Sequence, residues 1–241
     1  MEYSFLANSD MAVTVEFKKE ISKEVNARVV ALDRLVRQRG IKGVIETVPA
    51  FSTLTVFYDC TVISEKRLKR LLTRLIGRIS VSSQSKVKVW DIPVCYDPQF
   101  ALDMDNVCRH TGLSRDEVID IHTSKPYLIY MLGFLPGFAY LGGMDERLFT
   151  PRLDTPRLEI FEGAVGIGGE QTGIYPMASP GGWQLIGKTP VKVYDSARDN
   201  AILYQAGDYI QFCPISSDEY RQLEVQVNDG VYQPVCREVQ L

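Results

Sequence analysis

Histidine and tryptophan are scarce here, two of each in 241 residues, so little imidazole is available for metal or general-base chemistry. The five cysteines, Cys60, Cys95, Cys108, Cys213 and Cys236, are odd in number, widely spaced and without a CxxC pair. That argues against a zinc site and for the reduced thiols of the cytosol. The opening MEYSFLANSD lacks the basic and apolar regions of a secretory signal. One uncharged run is about the length of a membrane span. This stretch, 126–144, is interrupted by Gly133, Pro136, Gly137, Gly142 and Gly143, leaving residues 127–132 as a buried strand rather than a lipid helix. A net charge of −3 gives no general case for nucleic acid. The expectation is a soluble cytoplasmic protein.

What is present divides unevenly. Residues 1–90 carry 16 Lys and Arg against 9 Asp and Glu, and the remainder carry 11 against 21. Two domains of opposite sign is the simplest reading. The basic residues of the first part (Arg34, Arg37, Arg39; Lys66, Arg67, Lys69, Arg70, Arg74, Arg78) fall along predicted helices, either as a solvated face or as a docking face for an acidic partner.

Short β-rich runs around Asn8-Ser9-Asp10 and around Pro49 predict two hairpins. Ser22 opens one helix with apolar residues at Val25, Val29, Leu32, Leu35 and Val36, stopped by Gly40, and Ser64 opens a second with Leu68, Leu71, Leu72, Leu75 and Ile76 on one face. An alternating strand over 86–94 is expected to close this region. The prediction for residues 1–94 is an α+β sandwich of ferredoxin-like type, separable from the rest near residues 91–100. Two helices follow, the second with the capping-box pattern Ser114-x-x-Glu117. From Lys125 onward, short strands alternate with Gly/Pro turns, as in an all-β barrel or sandwich over 95–241. Strands are expected at 127–132, 164–167, 173–176, 183–187, 191–194, 209–214 and 231–235, with a helix at 217–226.

The stretch 122–194 holds most of the glycines and at least half of the prolines, which describes shaped loops around a site. Gly182 to Thr189 formally satisfies GxxxxGK[ST]. A phosphate-cradling loop, however, needs a helix beginning at the Lys, whereas Pro190 follows Thr189 and a strand pattern continues. Lys188 is left as a possible isolated anion ligand. His122, before a strand in a polar context, is read as either a satisfied structural residue or an acid/base group. Ser179 is a turn residue first and a ligand contact second. Arg152 and Arg157, each after a Pro in TPRLDTPRLEI, are stiffly presented guanidiniums suited to carboxylate or phosphate, or else ion-paired with Asp154 or Glu159. Tyr130, Tyr140, Tyr175 and Trp183 are core residues of which one or two could wall a small polar ligand.

The segments GFLPGFAYLGG, TPRLDTPRLEI, GIGGEQTGIYP and SPGGWQLIGKTP resemble the family of 5-oxoprolinase B subunits, also described as KipI and as allophanate hydrolase subunit 1, over nearly the whole chain. The resemblance implies a cyclophilin-like barrel for the second domain. It also implies work alongside a homologue of the C subunit and a separate A subunit, in ATP-dependent opening of 5-oxo-L-proline to L-glutamate. KipI itself is described as an inhibitor of a sporulation histidine kinase, and fused relatives occur in urea-carboxylating enzymes. A lactam and urea both present an N–C=O whose resonance must be broken, so preorganised donors to an oxyanion would serve either. The nominated donors are Gln171, Tyr175, Arg157 and the backbone amides of Gly168 and Gly169. His122 would manage the proton on nitrogen.

Overall fold

The chain is represented by a computed structural model, which describes residues 2–18, 22–79 and 86–240. It divides into two compact units at Ser85/Lys86. The first holds β1 (Tyr3–Ser9), β2 (Ala12–Phe17), α1 (Lys23–Arg39), β3 (Val44–Pro49), β4 (Thr53–Tyr58) and α2 (Glu65–Ile76), with one antiparallel sheet in the order β1-β2-β4-β3. Strand alternation sends Val13, Val15 and Phe17 of β2 and Leu54, Val56 and Tyr58 of β4 into one core, met by Val25, Val29, Leu32 and Val36 of α1 and Leu68, Leu72 and Leu75 of α2. Ser22 caps α1 by accepting from the Val25 amide, and Gly40 ends it at φ 57.

Two helices against a small antiparallel sheet is the expected layering, but the ferredoxin-like connectivity is not found. The chain order is ββαββα, whereas the split βαβ arrangement needs βαββαβ. The strand expected to close this unit belongs to the other one. β5 (Lys86–Cys95) runs parallel to β13 (Tyr209–Ile215) on one side, and on the other pairs with β14 (Val235–Gln240) along its first half and with β12 (Gln184–Lys188) at Cys95. The boundary therefore falls at 85/86 rather than at 94/95.

The second unit continues with α3 (Met104–Thr111), α4 (Arg115–Thr123), β6 (Tyr127–Leu132), β7 (Ala139–Gly142), a 3-10 turn (Glu146–Leu148), β8 (Arg157–Ile160), β9 (Ala164–Gly168), β10 (Gln171–Ile174) and β11 (Ser179–Gly181); α5 (Ser217–Asn228) lies between β13 and β14. Its main sheet runs β10-β9-β12-β5-β13-β6-β7. The two edge strands return to one another: a Cβ at Gly173 of β10 would lie 3.2 Å from the Ala139 carbonyl of β7. The sheet is thus a nearly closed barrel around Ile92, Val94, Ile129, Leu141, Val165, Ile167, Ile186, Ile210 and Phe212. β8 and β11 form a separate two-stranded ribbon. The capping box at Ser114 and Glu117 is present, and Ser216 and Glu219 make a second one. Two expected strands are not. Residues 191–194 contribute only the single bridge Tyr194–Ile202, and the last strand begins at Val235.

Candidate functional site

His122 closes α4 and is buried. Thr172 of β10 has one hydroxyl hydrogen and donates it to the Gly166 carbonyl at 3.0 Å, so at 2.7 Å it can only accept from His122 Nε2–H. Nδ1 is therefore bare and accepts the Tyr96 O–H at 2.8 Å. The imidazole lies 4.5 Å from the Phe212 ring, nearly parallel to it, and burial pushes its pKa down to about 3. Both nitrogens are satisfied inside the barrel, so the expected proton-handling role is corrected to a structural one: a neutral tie between α4, β10 and Tyr96.

Lys188 is corrected too. It stands at the end of β12, confirming a strand where a phosphate loop would need a helix. Its ammonium sits 5.4–5.5 Å from the ring centres of Phe100, Phe161 and Tyr220, and 3.9 Å from Glu224 of α5. Cation–π attraction and this ion pair tie α5 to the barrel and leave the lysine already engaged. Gly169 loses its nominated role as well, because its N–H donates to the Thr150 carbonyl at 2.8 Å.

The remaining candidates gather around Trp183. The indole lies over β9, where a Cβ at Gly168 would fall 2.3 Å from its ring; only glycine permits that approach. Phe138 meets Trp183, Tyr175 and Tyr140 edge to face at 5.5, 5.6 and 5.2 Å, in one cluster with Ile160 and Leu185. Such pairs add about 0.5–1.5 kcal/mol each beyond area burial, so the wall is stiff. Gln171 opens β10 opposite Gly168, and by strand alternation shares the face of Gly173, which also packs on the indole. Arg152 lies over the Trp183 ring at 5.9 Å.

Arg157, the first residue of β8, donates through Nη2 to Asp103 Oδ1 at 2.7 Å, and the Leu185 amide donates to Asp103 Oδ2 at 2.7 Å. Its partner is thus Asp103, not Asp154 or Glu159. Burial pushes the Tyr175 hydroxyl above its ordinary pKa, while the Trp183 backbone amide, Arg152 and Arg157 pull it back. It therefore stays a neutral O–H donor near neutral pH. Gly181 makes room for that hydroxyl: a Cβ there would fall 2.5 Å from it. Among the described residues, Arg157 Nη1, Ser179 Oγ, Gln184 Oε1 and Arg198 Nε are buried without hydrogen-bond partners.

Sequence reasoning did not nominate Asp103 or Gln184. Asp103 lies 54 residues from Arg157 with no local pattern joining them, and Gln184 falls inside both the formal phosphate loop and the expected strand 183–187 without a role of its own. The same residues that look like a motif there are a strand whose first side chain donates to the Pro151 carbonyl at 3.0 Å. Two guanidiniums, a neutral phenol and a serine hydroxyl on a rigid aromatic wall form a donor-rich corner. It is suited to holding an anion or a developing oxyanion. Among the described residues no cluster of His, Cys, Asp or Glu could hold a metal ion, and no helix is long and apolar enough to cross a membrane.

A profile of the family described as carboxyltransferase domain, subdomain C and D, matches residues 3–204. The chain is 38% identical over 238 residues to the B subunit of 5-oxoprolinase from Bacillus subtilis, covering 95% of this chain and 99% of that one. Among solved structures it is similar to TTHA0988, with a TM-score of 0.77 at 35% identity over 86% of this chain; it spans 40% of that protein's length. Kluyveromyces lactis urea carboxylase shares the fold, with a TM-score of 0.80 at 21% identity over 98% of this chain and 24% of that one. By the profile match and the full-length likeness to the Bacillus protein, the chain belongs to the carboxyltransferase subdomain C and D family, in the branch of the 5-oxoprolinase B subunits.

Proposed function

We propose that this chain is the B subunit of a cytoplasmic, ATP-dependent 5-oxoprolinase, opening 5-oxo-L-proline to L-glutamate together with the A subunit and a homologue of the C subunit. The barrel is read as cyclophilin-like, with its working corner at Trp183. One observation carries the reading: Arg152 and the neutral Tyr175 hydroxyl meet on one aromatic wall, where donors are held before any substrate arrives. When the lactam carbonyl gains charge, such donors stabilise the oxyanion without reorganisation. Among the described residues no nucleophile–base pair accompanies them, which fits a part-site completed by another polypeptide of the complex. Phe134 supports that completion. It is 65% exposed, is held at φ 69 beside Gly133, and touches Phe138 of the wall edge-on. Leu158, next to Arg157, is 93% exposed.

ATP has no cradle in the Gly182–Thr189 stretch, since Gln184–Lys188 is a strand where a helix would have to begin, so its chemistry is assigned to the partner polypeptides. The strained, exposed Phe134 also favours a second reading, a KipI-type binding module gripping a segment of a histidine kinase. A urea-carboxylation role would use the same donors.

Reconstitution with the A and C subunits separates these readings. Tyr175→Phe removes one donor and keeps the packing, and should lower kcat for 5-oxoproline roughly 10²-fold with the complex intact. Wild-type turnover in that variant, alongside loss of partner binding in Phe134→Ser, would favour the binding module instead.

A further inference from the structure

The small ribbon of β8 and β11 holds two of the buried, unpartnered polar atoms, Arg157 Nη1 and Ser179 Oγ. Leaving such a group unsatisfied costs about 1–3 kcal/mol, which is why buried orphans in native proteins call for an occupant. Ser179 is 8% exposed. Its register explains how the two come together. Ser179 stands opposite Ile160 and Gly181 opposite Arg157, so two steps along β11 match three along β8. The extra residue of this bulge turns Arg157 onto the face already shared by Ile160, Ser179 and Gly181. Arg157 and Ser179 are then diagonal neighbours, roughly 7–8 Å apart at the backbone and within reach of a long side chain. The Tyr175 hydroxyl lies over Gly181, the residue opposite Arg157.

The charge at this corner is specific. Asp103 occupies only the Nη2 side of the Arg157 fork, leaving Nη1 as a buried cationic donor without a partner. Arg152 adds a second positive charge close enough to act on Tyr175. Two guanidiniums less one carboxylate leave a single positive charge, which matches one singly charged carboxylate and accommodates a neutral amide poorly.

We propose that Arg157 Nη1 and Ser179 Oγ form a seat for the carboxylate of the substrate, leaving the Tyr175 hydroxyl to its amide, so that the site selects amides bearing an acid group over neutral amides such as urea. Asp103 is the positioning residue that aims the guanidinium. This inference rests on the 5-oxoprolinase reading, because only an acid-bearing lactam gives the seat its use.

The test compares 5-oxo-L-proline with 2-pyrrolidinone, the same ring without the carboxylate, by calorimetric titration into the reconstituted assembly. The wild type should prefer the acid at least tenfold. Arg157→Gln should abolish that preference and Ser179→Ala should reduce it several-fold, with 2-pyrrolidinone affinity unchanged in both. Ser179→Ala removes only an unpartnered hydroxyl, so it remains informative should Arg157→Gln fold poorly with Asp103 left unpaired. If Ser179→Ala, with or without Arg157→Gln, keeps the wild-type preference while turnover persists, the 5-oxoprolinase reading stands and the seat is refuted, its place taken by buried water. An assembly that neither binds nor turns over either lactam refutes the reading and the seat together.

Discussion

At the scale of single residues, burial decided roles that residue type left open. His122 could be located from its polar context before a strand, but whether its nitrogens face solvent depends on Tyr96, Thr172 and Phe212, brought in from 26, 50 and 90 positions away. Its titration follows. The folded pKa near 3 lies below the unfolded value near 6.5, so between those pH values the unfolded chain binds the extra proton and stability falls as pH drops. About 2 kcal/mol should be lost between pH 7 and pH 5, and none of that contribution above pH 7. Denaturant unfolding of the second unit at the two pH values, for wild type and His122→Gln, measures it; a wild-type slope no steeper than the variant's would refute the neutral, buried assignment. Nitrogen shifts of the imidazole should show the Nε2–H tautomer and stay fixed from pH 8 to pH 5. Lys188 makes the same point: its aromatic box of Phe100, Phe161 and Tyr220 has no local sequence signature.

Elements were legible where their period was strong. Both helices of the first unit, the Ser114 capping box and the strand at 127–132 were readable from spacing and caps alone. The short strands were not, because β7, β8 and β11, of four, four and three residues, are too short to show alternation. β5 was found as a strand and assigned to the wrong sheet, since alternation says nothing about partners. Its true place makes a sharp expectation. A fragment beginning at Lys86 keeps the strand that joins β12, β13 and β14, whereas one beginning at Cys95 deletes it and opens the barrel. The first should fold with dispersed amide resonances and the second should not. Two equally well-dispersed spectra would show that β5 is dispensable.

Across the whole molecule, the charge asymmetry read from the sequence coincides closely with the division at Ser85/Lys86: the basic share belongs to the helix-covered sheet and the acidic share to the barrel that carries the donor-rich corner. A locally basic corner in an acidic unit is the kind of feature that composition averages away. The distribution of work within the complex is also open to measurement. Titration of Mg-ATP into the isolated chain should give no saturable heat; low-micromolar binding abolished by Lys188→Ala would restore a phosphate site to the Gly182–Thr189 stretch.

The placement of β5 also bears on synthesis at the ribosome. All four strands of the first unit lie within residues 3–58, so it can close soon after α2 emerges. β5 emerges next, with Val89, Ile92 and Val94 ready to be buried, yet its partners over 209–215 and 235–240 are among the last residues made. At about 5–20 residues per second, the nascent strand waits roughly 6–30 s with its edges unpaired. In that interval the barrel's central strand is the segment of the chain most open to capture by a chaperone, or to pairing with the same strand of a neighbouring nascent copy.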